Sequence, residues 1–276
     1  PIYNLPESPF LYLNRYERKH AEVFFGRSYY IRSLYATITD KNSPPILLFY
    51  GQSGVGKSSL LDAGVQPRLE SSHQIIYLRR NGAIGLSQTI FHALLSLNGH
   101  EAKPDVKAIT TVNDKNLLIE NLKQLTASAD EATKQEINSL INKISNQQKE
   151  SINETESHAE AVPASITEAW HRFETKSNKP LLLILDQVEE AYTRPNIHID
   201  NEVGQLFSNL KPLFGTISNL PKGKIILSFR KEYHPELDEF CKLYELPRGK
   251  FFIEHISKKD ILEIFQGIQH TPKLKA

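Results

Sequence analysis

The sequence predicts an α/β fold, a three-layer sandwich in which helices cover both faces of a mostly parallel five-stranded sheet. Three observations carry this expectation. Five short apolar runs have strand length, the segments between them carry apolar residues at helical spacing, and the third and fourth runs are nearly all aliphatic. A strand with one wet face alternates polar and apolar residues, so an aliphatic run of this kind must be covered on both sides.

The runs are 46–50, 74–78, 181–185, 224–229 and 251–253. Between them, Ile90, Phe91, Leu94 and Leu97 form one helical stripe and Ile166, Trp170 and Phe173 another. Leu206, Leu210, Leu213 and Ile217 form a third, with a bend expected at Pro212, whose ring and missing N–H disturb a helix. Residues 99–162 are polar and lack a convincing strand. Leu118, Leu122 and Leu125, then Ile137, Leu140, Ile141 and Ile144, predict an amphipathic helical insertion there, either a solvated hairpin or a partner-docking arm. Near the C-terminus, Ser257 and Asp260 have capping-box spacing before Ile261, Leu262, Ile264, Phe265 and Ile268. The expected organisation is a lead-in over 1–43, a core over 44–256 and, over 257–276, the start of a further helical domain.

Composition narrows the function. The 276 residues carry 33 Lys and Arg against 32 Asp and Glu, a net charge of +1. No bulk field favours nucleic acid or an anionic membrane. Cys241 is the single cysteine, which excludes an internal disulfide framework and points to a reducing, cytoplasmic setting. No apolar run approaches the roughly 18 residues of a membrane span. The chain has no methionine, which predicts an excised or processed piece of a longer protein.

Chemistry enters at residues 51–58, Gly-Gln-Ser-Gly-Val-Gly-Lys-Ser, which match the phosphate-binding loop G-x-x-x-x-G-K-[ST] in full. A buried strand leads in and a helical pattern leads out. Glycines let backbone N–H groups wrap phosphates, and the helix N-terminus adds its positive end. The nucleotide-contacting candidates are Gly51, Ser53, Gly54, Val55, Gly56, Lys57, Ser58 and Ser59. Lys57 is expected to neutralise β- and γ-phosphate oxygens and Ser58 to ligate Mg²⁺. The fold class thereby becomes a P-loop NTPase.

Residues 181–186, Leu-Leu-Leu-Ile-Leu-Asp, form an aliphatic strand ending in one carboxylate, so Asp186 is the second Mg²⁺ candidate. Gln187 follows where a water-polarising glutamate commonly stands. Glu189 and Glu190 lie about a turn further on; either can serve as a base or sit as a surface carboxylate, and the residues alone do not choose. Strand 224–229 leads into Arg230. Beside the loop strand, its forked donors would read the γ-phosphate; elsewhere it would pair with surface carboxylates.

These residues resemble a known family. Phe24-Phe25-Gly26-Arg27, the run 51–69, L-L-L-I-L-D-Q-V-E-E at 181–190 and I-L-S-F-R at 226–230 are similar to the STAND ATPases, signal-transduction ATPases with numerous domains, and within them to the bacterial novel STAND NTPases. The resemblance implies a sheet of the additional-strand class with order 5-1-4-3-2, which sets Arg230 beside the loop as a γ-phosphate sensor. It implies that Phe25, Gly26 and Arg27 line the adenine pocket. Ser28, where the family usually has Glu, with Tyr12 and His20, departs from its pattern. The implied activity is an ATP switch: a closed ADP monomer, an ATP form that self-associates, and slow hydrolysis that resets it, between effector and sensor domains and in bacterial defence or conflict signalling. Two other readings compete. One is an AAA+ or origin-recognition-like mechanical ATPase on nucleic acid, kept alive by Arg79, Arg80 and the short basic tail at the C-terminal end; the other is a scaffold that binds nucleotide without hydrolysing it.

Overall fold

A computed structural model describes residue 11, residues 14–100 and residues 162–270. The expected insertion, with its two leucine and isoleucine stripes, lies almost wholly outside the described residues, as do Pro9, Phe10 and Tyr12 of the lead-in.

A 3-10 turn, Arg18–Val23, precedes helix α1 (Ser28–Thr39) and strand β1 (Ile46–Gly51). Helix α2 then runs as Lys57–Ser59, a π-helical stretch Leu60–Val65, and Gln66–Leu69. Strand β2 (Gln74–Arg79), α3 (Gly85–Leu97), α4 (Ile166–Ser177), β3 (Leu181–Asp186) and the short α5 (Glu190–Thr193) follow. The chain continues through α6 (Glu202–Phe214), β4 (Lys224–Arg230), α7 (His234–Leu243), β5 (Arg248–Ile253) and α8 (Lys258–His270). All strand pairs are parallel, and the order is β2-β3-β4-β1-β5, the expected one read from its other edge.

Alternation sorts each central strand onto two cores. Ile46, Leu48, Leu181, Leu183, Leu185, Ile225 and Leu227 face Leu86, Ile90, Trp170, Phe207 and Phe214 from α3, α4 and α6. Leu47, Phe49, Leu182, Ile184 and Ile226 face Ile31 and Leu34 of α1 and Leu60, Leu61 and Val65 of α2. Burying each such side chain stabilises the fold by about 1.5–3 kcal/mol, so the aliphatic runs themselves specify the three layers. Edge strands β2 and β5 remain partly exposed.

At the far end from the phosphate loop, Glu174 of α4 knots the layers together. It is 5% exposed and accepts from Trp170 Nε1 (3.1 Å) and from the amides of Leu181 (3.0 Å), Gly223 (2.7 Å) and Lys222 (2.8 Å). Each donor satisfies a charge that burial would otherwise penalise.

Two expectations shift. Strand β5 starts at Arg248, three residues before its apolar run, because it pairs with β1 along its whole length. Its polar start is tolerated by Asp238 of α7, which takes Arg248 Nε at 2.8 Å and Lys250 Nζ at 3.1 Å; the Arg248 bond above all holds this carboxyl below the usual range. Ile217 does not join its stripe: α6 carries Pro212 inside its last turn and stops at Phe214, leaving Ile217 90% exposed. The capping box at Ser257 forms, with Ser257 N donating to Asp260 Oδ2 (2.6 Å) and Asp260 N to Ser257 Oγ (3.3 Å). Cys241 is buried, and burial pushes its thiol up to about 12, which makes it a packing residue.

Candidate functional site

Parallel register lines up the carboxyl ends of the strands. Arg79 stands opposite Asp186, Asp186 opposite Ser228, and Gly51 opposite Arg230. Because β4 lies between β1 and β3, Arg230 emerges beside the start of the phosphate loop.

The loop's glycines serve different needs. A Cβ on Gly51 would stand 2.5 Å from Ile253 O, so only glycine lets β1 and β5 close at this point. Gly54 (φ +73°) and Gly56 (φ +92°) adopt left-handed backbone, and a Cβ at either would project into open space. Left-handed glycines of this kind can turn backbone N–H groups toward a bound anion. Val55, 4% exposed, anchors the loop in the core with Phe49 and Ile253. Lys57 Nζ donates to Gly51 O (3.0 Å) and Gln52 O (2.9 Å). Burial pushes its pKa down, while the charges of Glu189 and Asp186 pull it back up. Ser53 is exposed, whereas Ser59 is buried and its Oγ accepts from Tyr16 N at 3.1 Å.

Asp186 is 1% exposed and held from two sides. Its Oδ2 accepts from Ser58 Oγ (2.6 Å) and from the Tyr77 hydroxyl (2.5 Å). Its Oδ1 accepts from Ser228 Oγ (2.6 Å) and Gln187 N (3.1 Å). Gln187 itself takes a left-handed φ of +63°, a strained conformation for a residue with a Cβ. That turn lets Val188 N reach Ser228 O at 3.0 Å and buries Val188 and Glu189.

Glu189 and Glu190 separate by environment. Glu189 is 5% exposed; its Oε1 lies 3.2 Å from Arg230 Nε, and its Oε2 is buried without a hydrogen-bond partner among the described residues. Burial raises its pKa, opposed by its own amide, Lys57 and Arg230. Glu190 opens α5 with Arg194 Nη1 3.8 Å away. The structure brings Glu189, Lys57, Asp186 and Arg230 into one electrostatic neighbourhood.

The segment 25–27 sits between the phosphate loop and α8. Gly26 N donates to Glu263 Oε1 at 3.1 Å, as do Ser28 N at 3.3 Å and the Ser28 hydroxyl; Phe25 packs on Gly267. Arg27, 4% exposed, donates from Nη1 to Glu254 O and from Nη2 to Val55 O, both at 2.8 Å. Its guanidinium thus ties the loop to the connector between β5 and α8, and the side chain of Gln52 meets that of His255 on the same connector.

Two residues escaped the sequence reading. Ser228 is the lone hydroxyl inside the aliphatic run of β4, and Tyr77 the polar-tipped side chain on β2; both signals are visible, but only register reveals that they converge on Asp186. Arg79 and Arg80 do not form a basic groove. Arg79 Nη2 lies 3.8 Å from Asp186 Oδ2, and buried Arg80 is bidentate to Glu202 at 2.7 Å.

The donor set suits a hard divalent cation: a hydroxyl and a carboxylate, both oxygen, beside an open loop and an orphaned carboxylate oxygen. Among the described residues, no cluster of three His, Cys, Asp or Glu side chains could hold a metal by itself. Mg²⁺, which keeps several waters and phosphate oxygens as ligands, does not need one. No helix among the described residues is long and apolar enough to cross a membrane.

A five-stranded parallel sheet, a glycine-rich loop entering a helix and a carboxylate at the end of β3, one strand removed from the loop strand, define a P-loop NTPase. The chain belongs to the novel STAND NTPase 1 family, whose model matches residues 9–269. Among solved structures it is similar to the ORC2 protein of Aeropyrum pernix, determined as ADPNP-ADP complexes, with 13% identity and a TM-score of 0.42. That likeness covers 88% of this chain and 50% of the other, so the chain spans about half the length of that protein. No curated protein matches it.

Proposed function

We propose that the chain is the ATP-binding, slowly hydrolysing switch module of a signal-transduction ATPase. The observation that carries this reading is the 3.2 Å pair between Arg230 and Glu189, set beside Lys57 and the Ser58–Asp186 bond. A γ-phosphate is a stronger partner for the Arg230 guanidinium than a single carboxylate oxygen, so ATP competes for it and ADP does not.

In this account, loop amides and Lys57 hold the phosphates, and Phe25, Gly26 and Arg27 border the adenine. Ser58 and Asp186 would hold Mg²⁺, which when bound neutralises charge on the phosphate oxygens. Capture of Arg230 by the γ-phosphate frees Glu189. Its carboxylate accepts a proton from water as the water oxygen bonds the γ-phosphorus and the bridging oxygen leaves with ADP. Burial makes Glu189 a better proton acceptor than a free carboxylate. The reset is slow because Glu189 must first be released. ADP keeps the chain closed and monomeric; ATP opens it for self-association, passing a signal between effector and sensor domains. Family kinship supports bacterial defence or conflict signalling as the setting.

Light scattering with ADP and with ATP, alongside phosphate release, tests the switch. A mass increase confined to ATP and a slow turnover abolished in Lys57→Ala are expected. Unchanged mass with no phosphate release would leave a nucleotide-binding scaffold, and turnover stimulated by DNA would favour a mechanical ATPase.

A further inference from the structure

Asp186 is the residue through which the site would organise its cation, yet only one of its side-chain hydroxyl partners belongs to the phosphate loop. Ser58 spends its proton on Oδ2 at 2.6 Å, which leaves lone pairs for a cation. Ser228 holds Oδ1, and the Tyr77 hydroxyl holds Oδ2 at 2.5 Å. Tyr77 lies on edge strand β2, separate from the loop, and faces the α2 side of the sheet. The Arg15 guanidinium sits 5.9 Å from its ring centroid, and Arg15 Nη2 lies 3.7 Å from Asp62 Oδ2 on α2. The next residue, Tyr16, donates its amide to Ser59 Oγ. The N-terminal segment therefore braces the ring whose hydroxyl fixes the carboxylate.

We propose that Tyr77 is a positioning residue for the cation half of the site: its hydroxyl holds the Asp186 carboxylate in the orientation in which Asp186 and Ser58 together accept Mg²⁺. This rests on the nucleotide-site reading above and adds to it a residue outside both phosphate-binding motifs. Two features favour a positioning role over simple packing. The bond is a short hydroxyl-to-carboxylate contact, of the stronger, charge-assisted kind. It also ends on the oxygen shared with Ser58 rather than on the one already held by Ser228 and Gln187. Partners that orient a ligand carboxylate typically govern metal affinity by 10–100-fold.

Tyr77→Phe removes the hydroxyl and keeps the ring under Arg15. ADP binding is measured by calorimetry in EDTA and then across a Mg²⁺ titration, with Mn²⁺ uptake into the ADP complex followed by electron paramagnetic resonance. The expected result is a Mg²⁺ midpoint and a Mn²⁺ affinity weakened about 10-fold or more, with ADP affinity in EDTA within about twofold of wild type. An unchanged midpoint overturns the proposal, and so does an equal loss of ADP affinity with and without Mg²⁺, which marks packing alone. Should the wild-type chain bind no ADP, the nucleotide reading itself falls; should it bind and Tyr77→Phe titrate like wild type, only the role of Tyr77 falls.

Discussion

Arg230 Nε stands 3.2 Å from Glu189 Oε1, joining the residue that ends β4 to a glutamate just beyond the end of β3. The pair is asymmetric: Glu189 is buried, and Arg230 is about half exposed with donors to spare. Such a guanidinium can change partners without unfolding anything. In the proposed switch it is the part that changes partner, whereas Asp186 stays held by its hydroxyl donors.

Arg230→Ala tests that exchange. Hydrogen bonds to charged groups contribute about 1.5–3 kcal/mol each, so ATP affinity should fall roughly 10–100-fold. ADP affinity, which does not use Arg230 in this account, should change less than about twofold. Parallel calorimetric titrations of both nucleotides check it; equal losses for ATP and ADP would remove the sensor role.

The two glutamates separate by turnover. Glu189→Gln keeps shape and removes the base, so phosphate release should drop about 10²–10⁴-fold with ATP binding retained. Glu190→Gln, beside Arg194 and away from the buried neighbourhood of Lys57, should stay within a few-fold of wild type. A reversed ranking assigns the base to Glu190.

Glu189 also makes a pH prediction. Burial raises its folded pKa above the unfolded one, so the stability it contributes is fully present below the unfolded value and is lost as pH rises through the folded value. At neutral pH its charge is therefore a cost. Glu189→Gln should melt higher than wild type at pH 7, and the gap should narrow toward acid. A gap that widens on acidification contradicts this sign.

Much of this was legible in the chain itself. The apolar runs set strand number because helices on both faces demand aliphatic strands, and residues 51–58 located the phosphate loop because its backbone conformation demands glycine. What could not be read were relations between distant residues. Nothing in an edge strand says that Tyr77 reaches Asp186, since that depends on register across β2 and β3. Nothing in the Glu189-Glu190 pair ranks them before the left-handed Gln187 turn fixes which one is buried. The polar start of β5 was hidden because Arg248 and Lys250 look like loop until Asp238 is placed beside them.

Stability should fail first at the opposite end of the sheet. Glu174→Ala leaves the Trp170 indole N–H and three amides without their shared acceptor. A buried donor left without an acceptor costs about 1–3 kcal/mol, so losing this shared acceptor costs at least about 3–5 kcal/mol in total. With about 2–4 °C of melting temperature per kcal/mol for a domain of this size, a fall of roughly 10 °C is expected by calorimetry. A melting point within about 2 °C of wild type would mean that these donors find other acceptors.

The measurement closest to the centre of the account is calorimetric binding of ATP with Mg²⁺ to the wild-type chain and to Lys57→Ala. Lys57 is a half-buried cation whose hydrogen-bond acceptors are the loop's own carbonyls, so its removal should not lower the melting temperature. The account predicts saturable one-to-one binding to wild type and none to a fully folded Lys57→Ala. Unchanged ATP affinity in that variant would contradict the phosphate site at the carboxyl edge of the sheet and everything built on it.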